Sequence, residues 1–240
     1  MTTDDQYAPE ALRGRLKRVR ARIDEAVERR GEGAAVTLVA VTKGHPPEAI
    51  EVLYDAGVRH FGASYVQEWQ DKVEAVPDDV KWHFVGRLQS NKAKYIADRV
   101  AMVHSADRNS VLKKLDRRSQ SAMDVLLQVN PAMEPSKGGV ALDDLEDLMD
   151  LAARYSGLRV RGLMGMPPFS DNPEDSRPYF RKMRRALEQL QDYVDEHYPG
   201  RRADLEHLSM GMTNDYEVAI EEGATIVRVG TALFGPRPDY

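Results

Sequence analysis

The chain has 240 residues, 42% hydrophobic and 30% charged, enough for a folded domain with a buried core and unlike a disordered chain. Its 34 basic and 39 acidic residues leave a net charge of −5, the wrong sign for a nucleic-acid-binding domain. It has no cysteine, which excludes a disulfide framework, a thiol nucleophile, an iron–sulfur cluster and a cysteine zinc site, and fits a reducing, cytoplasmic location.

The first ten residues, MTTDDQYAPE, contain no apolar signal segment, and the longest largely apolar stretch, residues 34–41, is too short to span a bilayer. No membrane association is therefore expected. Residues 13–30 hold eight basic and three acidic side chains. Leu12, Leu16, Val19, Ile23 and Val27 recur at helical spacing. The pattern predicts an amphipathic helix over about residues 8–30 with a basic outer face. Such a face could attract a polyanion; a solvated face over a docked helix is the simpler reading.

From residue 36 onward, short β-rich runs alternate with longer amphipathic ones. Strands are predicted at 37–43, 58–62, 81–86, 100–105, 123–130, 158–164, 205–210 and 225–230. Helices are predicted at 46–56, 64–76, 89–98, 107–120, 141–155, 174–197 and 214–222, with a short one from Thr231. Several strands are apolar on both faces, as parallel strands covered on both sides are. Eight such units predict one (β/α)8 barrel over residues 1–240, preceded by an extra N-terminal helix. A doubly wound sheet would place a glycine-rich turn after its first strand, whereas Gly31-Glu32-Gly33 stands before it. Phe169 to Ser176 reads as a long loop after the sixth strand.

Barrels of this kind work at the C-terminal ends of their strands. Lys43 ends the first strand behind an apolar run and is a candidate amine nucleophile for an aldehyde. Residues 209–214 and Gly230-Thr231 lie after strands seven and eight, where such barrels bind phosphate, and offer glycines, hydroxyls and helix starts. Asn214 and Glu217 stand at capping-box spacing. Arg228 shares the face of Gly230 and, if inward, needs an acceptor such as a carboxylate or a ligand ring nitrogen. The six histidines lack metal-ligand spacing, so no metal is expected; His83, His104 and His207 fall on strands. Ser209 lacks a nucleophile-elbow context. Met164, Met166, Met210 and Met212 read as packing at the barrel mouth.

Taken together, LVAVTK (38–43), FGASYVQE (61–68), WHFVGRLQSNK (82–92), QVNPAMEPSKGG (128–139), RGLMGMP (161–167) and residues 208–235 span nearly the whole chain. They closely resemble the pyridoxal 5′-phosphate homeostasis proteins, the YggS/PROSC family. The resemblance implies a barrel like the N-terminal domain of alanine racemase, with pyridoxal 5′-phosphate as cofactor in a Schiff base with Lys43. It implies a phosphate grip by Ser209, Met210, Gly211, Thr213, Gly230 and Thr231, with Arg228 facing the pyridine nitrogen. An arginine can only donate, so that nitrogen would stay unprotonated and the ring would be a poor electron sink. Two departures stand out. Ser64 replaces the family's asparagine, and Gly44-His45 follows the lysine where threonine is usual. The implied role is cofactor storage and delivery to apo-enzymes, without strong catalysis, and one complete barrel is expected to be a monomer. The alternatives are an amino-acid racemase, with Tyr65 or Tyr216 as a second base in place of an additional domain, and a Schiff-base aldolase. Lys137, after strand five, is a candidate transient holder of cofactor.

Overall fold

A computed structural model describes residues 6–200 and 204–237. The predicted N-terminal helix is α1, Pro9–Arg30. Proline at its first positions costs no hydrogen bond, and Gly31, at φ 80°, ends it with a left-handed turn. Leu12, Leu16, Val19, Ile23 and Ala26 form the buried stripe, while Val27 is half-buried.

The strands are β1 (Thr37–Val41), β2 (His60–Ala63), β3 (Lys81–Phe84), β4 (Met102–Ala106), β5 (Met123–Val129), β6 (Leu158–Gly165), β7 (His207–Ser209) and β8 (Ile226–Val229). Every adjacent pair is parallel, and β8 closes onto β1 with Thr37 beside Ile226 and Ala40 beside Val229. The (β/α)8 barrel expected from the sequence is thus the fold. The helices that follow the strands are α2 (Pro47–Asp55), α3 (Val66–Val73), α4 (Ala93–Ile96), α5 (Asn109–Asp116), α6 (Leu145–Ala153), α7 (Arg177–His197) and α8 (Tyr216–Glu221); α9 (Thr231–Phe234) closes the chain. Most elements are shorter than the sequence pattern suggests. The expected helix at 89–98 is a 3-10 turn, Ser90–Lys92, running into α4, and similar turns precede α6 and α7.

Strand alternation divides the apolar side chains into two cores. Val39, Met102, Leu126, Met164 and Ile226 fill the barrel interior. The outward set, including Ala40, Phe61, Leu127 and Val229, packs against the helices. Helix α1 lies over α2, α8 and α9. Its basic face is partly matched within the chain, since Arg22 and Arg29 pair with Glu217 and Glu221 of α8. This dock sets α8 and α9, and with them the loops after β7 and β8, against one end of the barrel.

Candidate functional site

A cavity of about 540 Å3 opens among the loops at the C-terminal ends of the strands. Val41, Lys43, Ser64, Val85, Arg228 and Gly230 reach it from β1, β2, β3 and β8. Pro168 to Ser170 and Met212 to Asp215 also line it. No helix is long and apolar enough to cross a membrane among the described residues, and no group of metal-ligating side chains occurs among them.

Lys43 stands where β1 ends, with its Nζ 4.9 Å from the centre of the Tyr65 ring, a cation–π contact at the mouth. The turn that carries it is clamped from below. Lys72 of α3 donates to the Thr42 carbonyl (2.6 Å) and to Glu68 Oε1 (2.5 Å). The same Oε1 accepts the Gly44 N–H at 2.6 Å. One ion pair, its lysine buried, therefore holds the backbone on both sides of Lys43. Burial pulls the Lys72 ammonium down and Glu68 works against that.

His45 also lines the cavity. Its ring stacks on Phe234 with centroids 4.7 Å apart, and its Nδ1 lies 2.9 Å from the Tyr7 hydroxyl. Burial, with Lys72 nearby, pushes its pKa down to about 4, so the imidazole is neutral at physiological pH.

Arg228 projects into the barrel from β8 and is buried. Its Nη1 donates to Ser209 Oγ at 2.7 Å and its Nη2 to the Gly165 carbonyl at 3.2 Å. Burial lowers its pKa to about 10 while Asp215 raises it, which leaves a cation at neutral pH. The acceptor the sequence demanded is therefore a hydroxyl and a carbonyl. The guanidinium has further N–H groups to offer.

The loop after β7 divides its residues by direction. Ser209 faces inward and is fully buried under Arg228, so it acts on the cavity through that residue. Met210 faces outward into the helix-side core and donates its N–H to the Ile226 carbonyl. Gly211 turns at φ 90°, where a Cβ would lie 2.6 Å from the Cβ of Ala219. Thr213 lines the cavity, and its Oγ1 accepts the Ala232 N–H at 3.3 Å, joining the two loops. Gly230 and Thr231 complete that wall, with Arg237 beside them.

The capping box expected from Asn214 and Glu217 does not form. Asp215 is the N-cap residue of α8, and its Oδ1 takes the Met212 N–H at 2.7 Å. Asn214 instead donates to the Ser170 carbonyl at 2.7 Å, pinning the loop after β6 over the site. Ser64 stands in the wall beside Gly86, where any Cβ would collide with the Ser64 backbone. Lys137 points elsewhere: its Nζ donates to the Pro167 carbonyl (2.5 Å) and pairs with Glu134 (2.5 Å). The Tyr216 ring is buried near Arg22 of α1, outside the cavity lining, and Tyr65 is exposed at the mouth. Sequence reading passed over the Glu68–Lys72 clamp and the Asp215 cap, whereas the loop it placed after the sixth strand does supply Phe169 and Ser170 to the cavity. Glu68 and Lys72, four residues apart on a helix and ending on the buried side, were the available signal for the first.

A single parallel barrel with a lysine at the end of β1 and a buried arginine on β8 defines the class: the family described as alanine racemase, N-terminal domain, whose model matches residues 15–238. Within that class, the chain belongs to the pyridoxal phosphate homeostasis protein family. The protein of that name from Aquifex aeolicus (strain VF5) is 45% identical over 228 residues, which is 93% of this chain and 97% of the relative. The Escherichia coli (strain K12) protein of that name is 37% identical over 235 residues, 94% and 96% of the two chains. Among solved structures, PipY of Synechococcus elongatus PCC7942 with PLP bound aligns at TM-score 0.79 and 33% identity, over 93% of this chain and 100% of that one. Alanine racemase from Corynebacterium glutamicum aligns at TM-score 0.69 and 14% identity over 95% of this chain and 62% of that one, a likeness of fold alone.

Proposed function

We propose that this chain binds pyridoxal 5′-phosphate as a Schiff base on Lys43 and serves intracellular vitamin B6 balance, passing the cofactor to apo-enzymes. The observation that carries this reading is one cavity that joins the Lys43 amine to the donor face of Arg228, with the Thr213 and Thr231 hydroxyls in the same lining. The residues fit the group. An aldehyde needs an amine, a pyridine nitrogen accepts from a guanidinium, and a phosphate ester needs hydroxyl, backbone and cationic donors. Arg237 and the loop of residues 211–213 complete that donor set, behind which Ser209 and Met210 hold Arg228 and the loop in place. Ser64 lines the same cavity.

When bound, pyridoxal phosphate supplies an electrophilic aldehyde and an electron-withdrawing ring. The protein's part is to hold it. Lys43 would hold it through its amine as a Schiff base, with loss of one water. The Glu68–Lys72 clamp orients the amine, and the loop 168–170 limits access of bulk water. Arg228 would donate to the ring nitrogen and so keep that nitrogen unprotonated, which would favour storage over carbanion chemistry. A monomer in the cytoplasm suits this role. Solvent deuterium exchange at Cα across a panel of amino acids tests the reading against racemisation. Exchange no faster than with free pyridoxal phosphate is expected; rapid exchange lost in Lys43→Ala would establish an enzyme instead.

A further inference from the structure

Three histidines and a serine make one hydrogen-bonded file across the barrel interior, and the file ends on Arg228. Nδ1 of His60 on β2 lies 2.8 Å from Nε2 of His83 on β3. Nδ1 of His83 lies 2.9 Å from Nε2 of His104 on β4. Nδ1 of His104 lies 2.9 Å from Oγ of Ser209 on β7, the oxygen that accepts from Arg228. His83, His104 and Ser209 are buried; His60, at the start of β2, is half-buried.

The hydrogen count restricts this file. A neutral imidazole owns one N–H and one acceptor nitrogen. Two imidazole–imidazole contacts in series are both made only if all three rings share a tautomer. Arg228 selects which one, because a guanidinium only donates and the Ser209 hydroxyl has a single proton. If Oγ accepts from Arg228 and donates to His104 Nδ1, then His104 Nε2–H donates to His83, and His83 Nε2–H donates to His60. In the reverse direction Oγ would accept from both Arg228 and His104, and its own proton would take no part in the file.

We propose that His104, His83 and His60 are positioning residues that hold Ser209 as the partner of Arg228 through a shared Nε2–H tautomer, and that charging His60 reverses the whole file. The balance is one added proton. In the reversed file His83 and His104 carry hydrogen on Nδ1 alone, His60 carries hydrogen on both nitrogens and holds the added solvent proton, and Ser209 keeps its hydroxyl.

The surrounding charges direct that charge outward. Lys81 faces His60 and His83, His207 faces His83 and His104, and Arg228 faces His104. Around His207 stand Arg161 and Asp124, with Glu206 3.7 Å away; Asp215 acts on Arg228. Burial and these cations keep His83 and His104 neutral, His83 to about pH 3. His60, the end with access to water, is where a proton settles.

The test is histidine nitrogen NMR on the full chain without ligand, which separates it from the cofactor reading. At pH 7.5, His83 and His104 are expected to carry hydrogen on Nε2 alone. As pH falls and His60 gains charge, both should exchange to Nδ1–H with the His60 midpoint. His60→Asn, whose amide oxygen takes the place of Nδ1 and does not titrate, should hold Nε2–H throughout. Mixed or Nδ1–H tautomers at pH 7.5 would overturn the proposal. So would tautomers that ignore the His60 titration, or an identical switch in His60→Asn. The pH 7.5 pattern of the unmodified chain decides the tautomer claim even if the variant fails to fold.

Discussion

Arg228 donates to Ser209 Oγ at 2.7 Å on the floor of the cavity, so the near partner of this buried cation is a hydroxyl. A carboxylate there would neutralise the guanidinium. A hydroxyl leaves its positive charge available to a ligand acceptor, at the cost of a depressed pKa.

Arg228→Ala should therefore weaken pyridoxal phosphate binding. A hydrogen bond to a charged donor contributes about 1.5–3 kcal/mol, which corresponds to roughly a ten- to hundredfold loss in affinity. Absorbance titration of the variant checks this. Unchanged affinity would mean that the guanidinium does not face the bound ring.

Breaking the clamp beneath Lys43 should have unequal effects. Glu68→Ala strands the buried Lys72 ammonium with the Thr42 carbonyl alone, and an uncompensated buried charge costs about 3–5 kcal/mol. Lys72→Met leaves Glu68, a quarter exposed, still bonded to Gly44, and should cost about 1 kcal/mol. Urea unfolding of the two variants gives the order; equal losses would contradict it.

Gly211→Ala should disturb the loop after β7 rather than the barrel. A Cβ there meets Ala219 and the Tyr216 backbone, and φ of 90° is unfavourable for alanine. Strain of about 1–3 kcal/mol is expected. Phosphate-bearing ligands should lose more affinity than pyridoxal, which lacks the phosphate. Equal losses for both would place the phosphate elsewhere.

Acid should destabilise the fold through its neutral histidines. The folded pKa values, about 4 for His45 and about 3 for His83, lie below the unfolded value near 6.5. Between those limits the unfolded chain binds more protons, so stability falls as pH drops. It should be level above about pH 6.5 and decline below it, by roughly 1–3 kcal/mol for His45 after allowance for solvent at the cavity. Urea midpoints at pH 7.5, 6 and 5 test the sign; a flat profile would show that these rings are not neutral in the folded state.

The barrel was legible because strands covered on both faces read as apolar runs, and the helices between them keep a 3.6-residue stripe. Lys43, Arg228, Thr213 and Thr231 were legible from their places at strand ends. Alternation also implies that Ser209 and Met210 cannot both face inward, and the structure sends Met210 to the outer core. What stayed hidden depends on cross-barrel distance. Strand parity turns His60, His83 and His104 inward, yet nothing local states that His104 meets a serine 105 residues away. The displacement of the Asn214 cap had the same cause, since Ser170 and Ser176 come from another loop.

Lys43 is the proposed carrier of the cofactor. Adding pyridoxal phosphate to the purified chain, reducing with borohydride and mapping the peptides tests it most directly. A visible band that borohydride abolishes and a pyridoxyl group on Lys43, absent from Lys43→Ala, are expected. A colourless, unmodified chain, or a label on Lys137 or another lysine with Lys43 free, would contradict it.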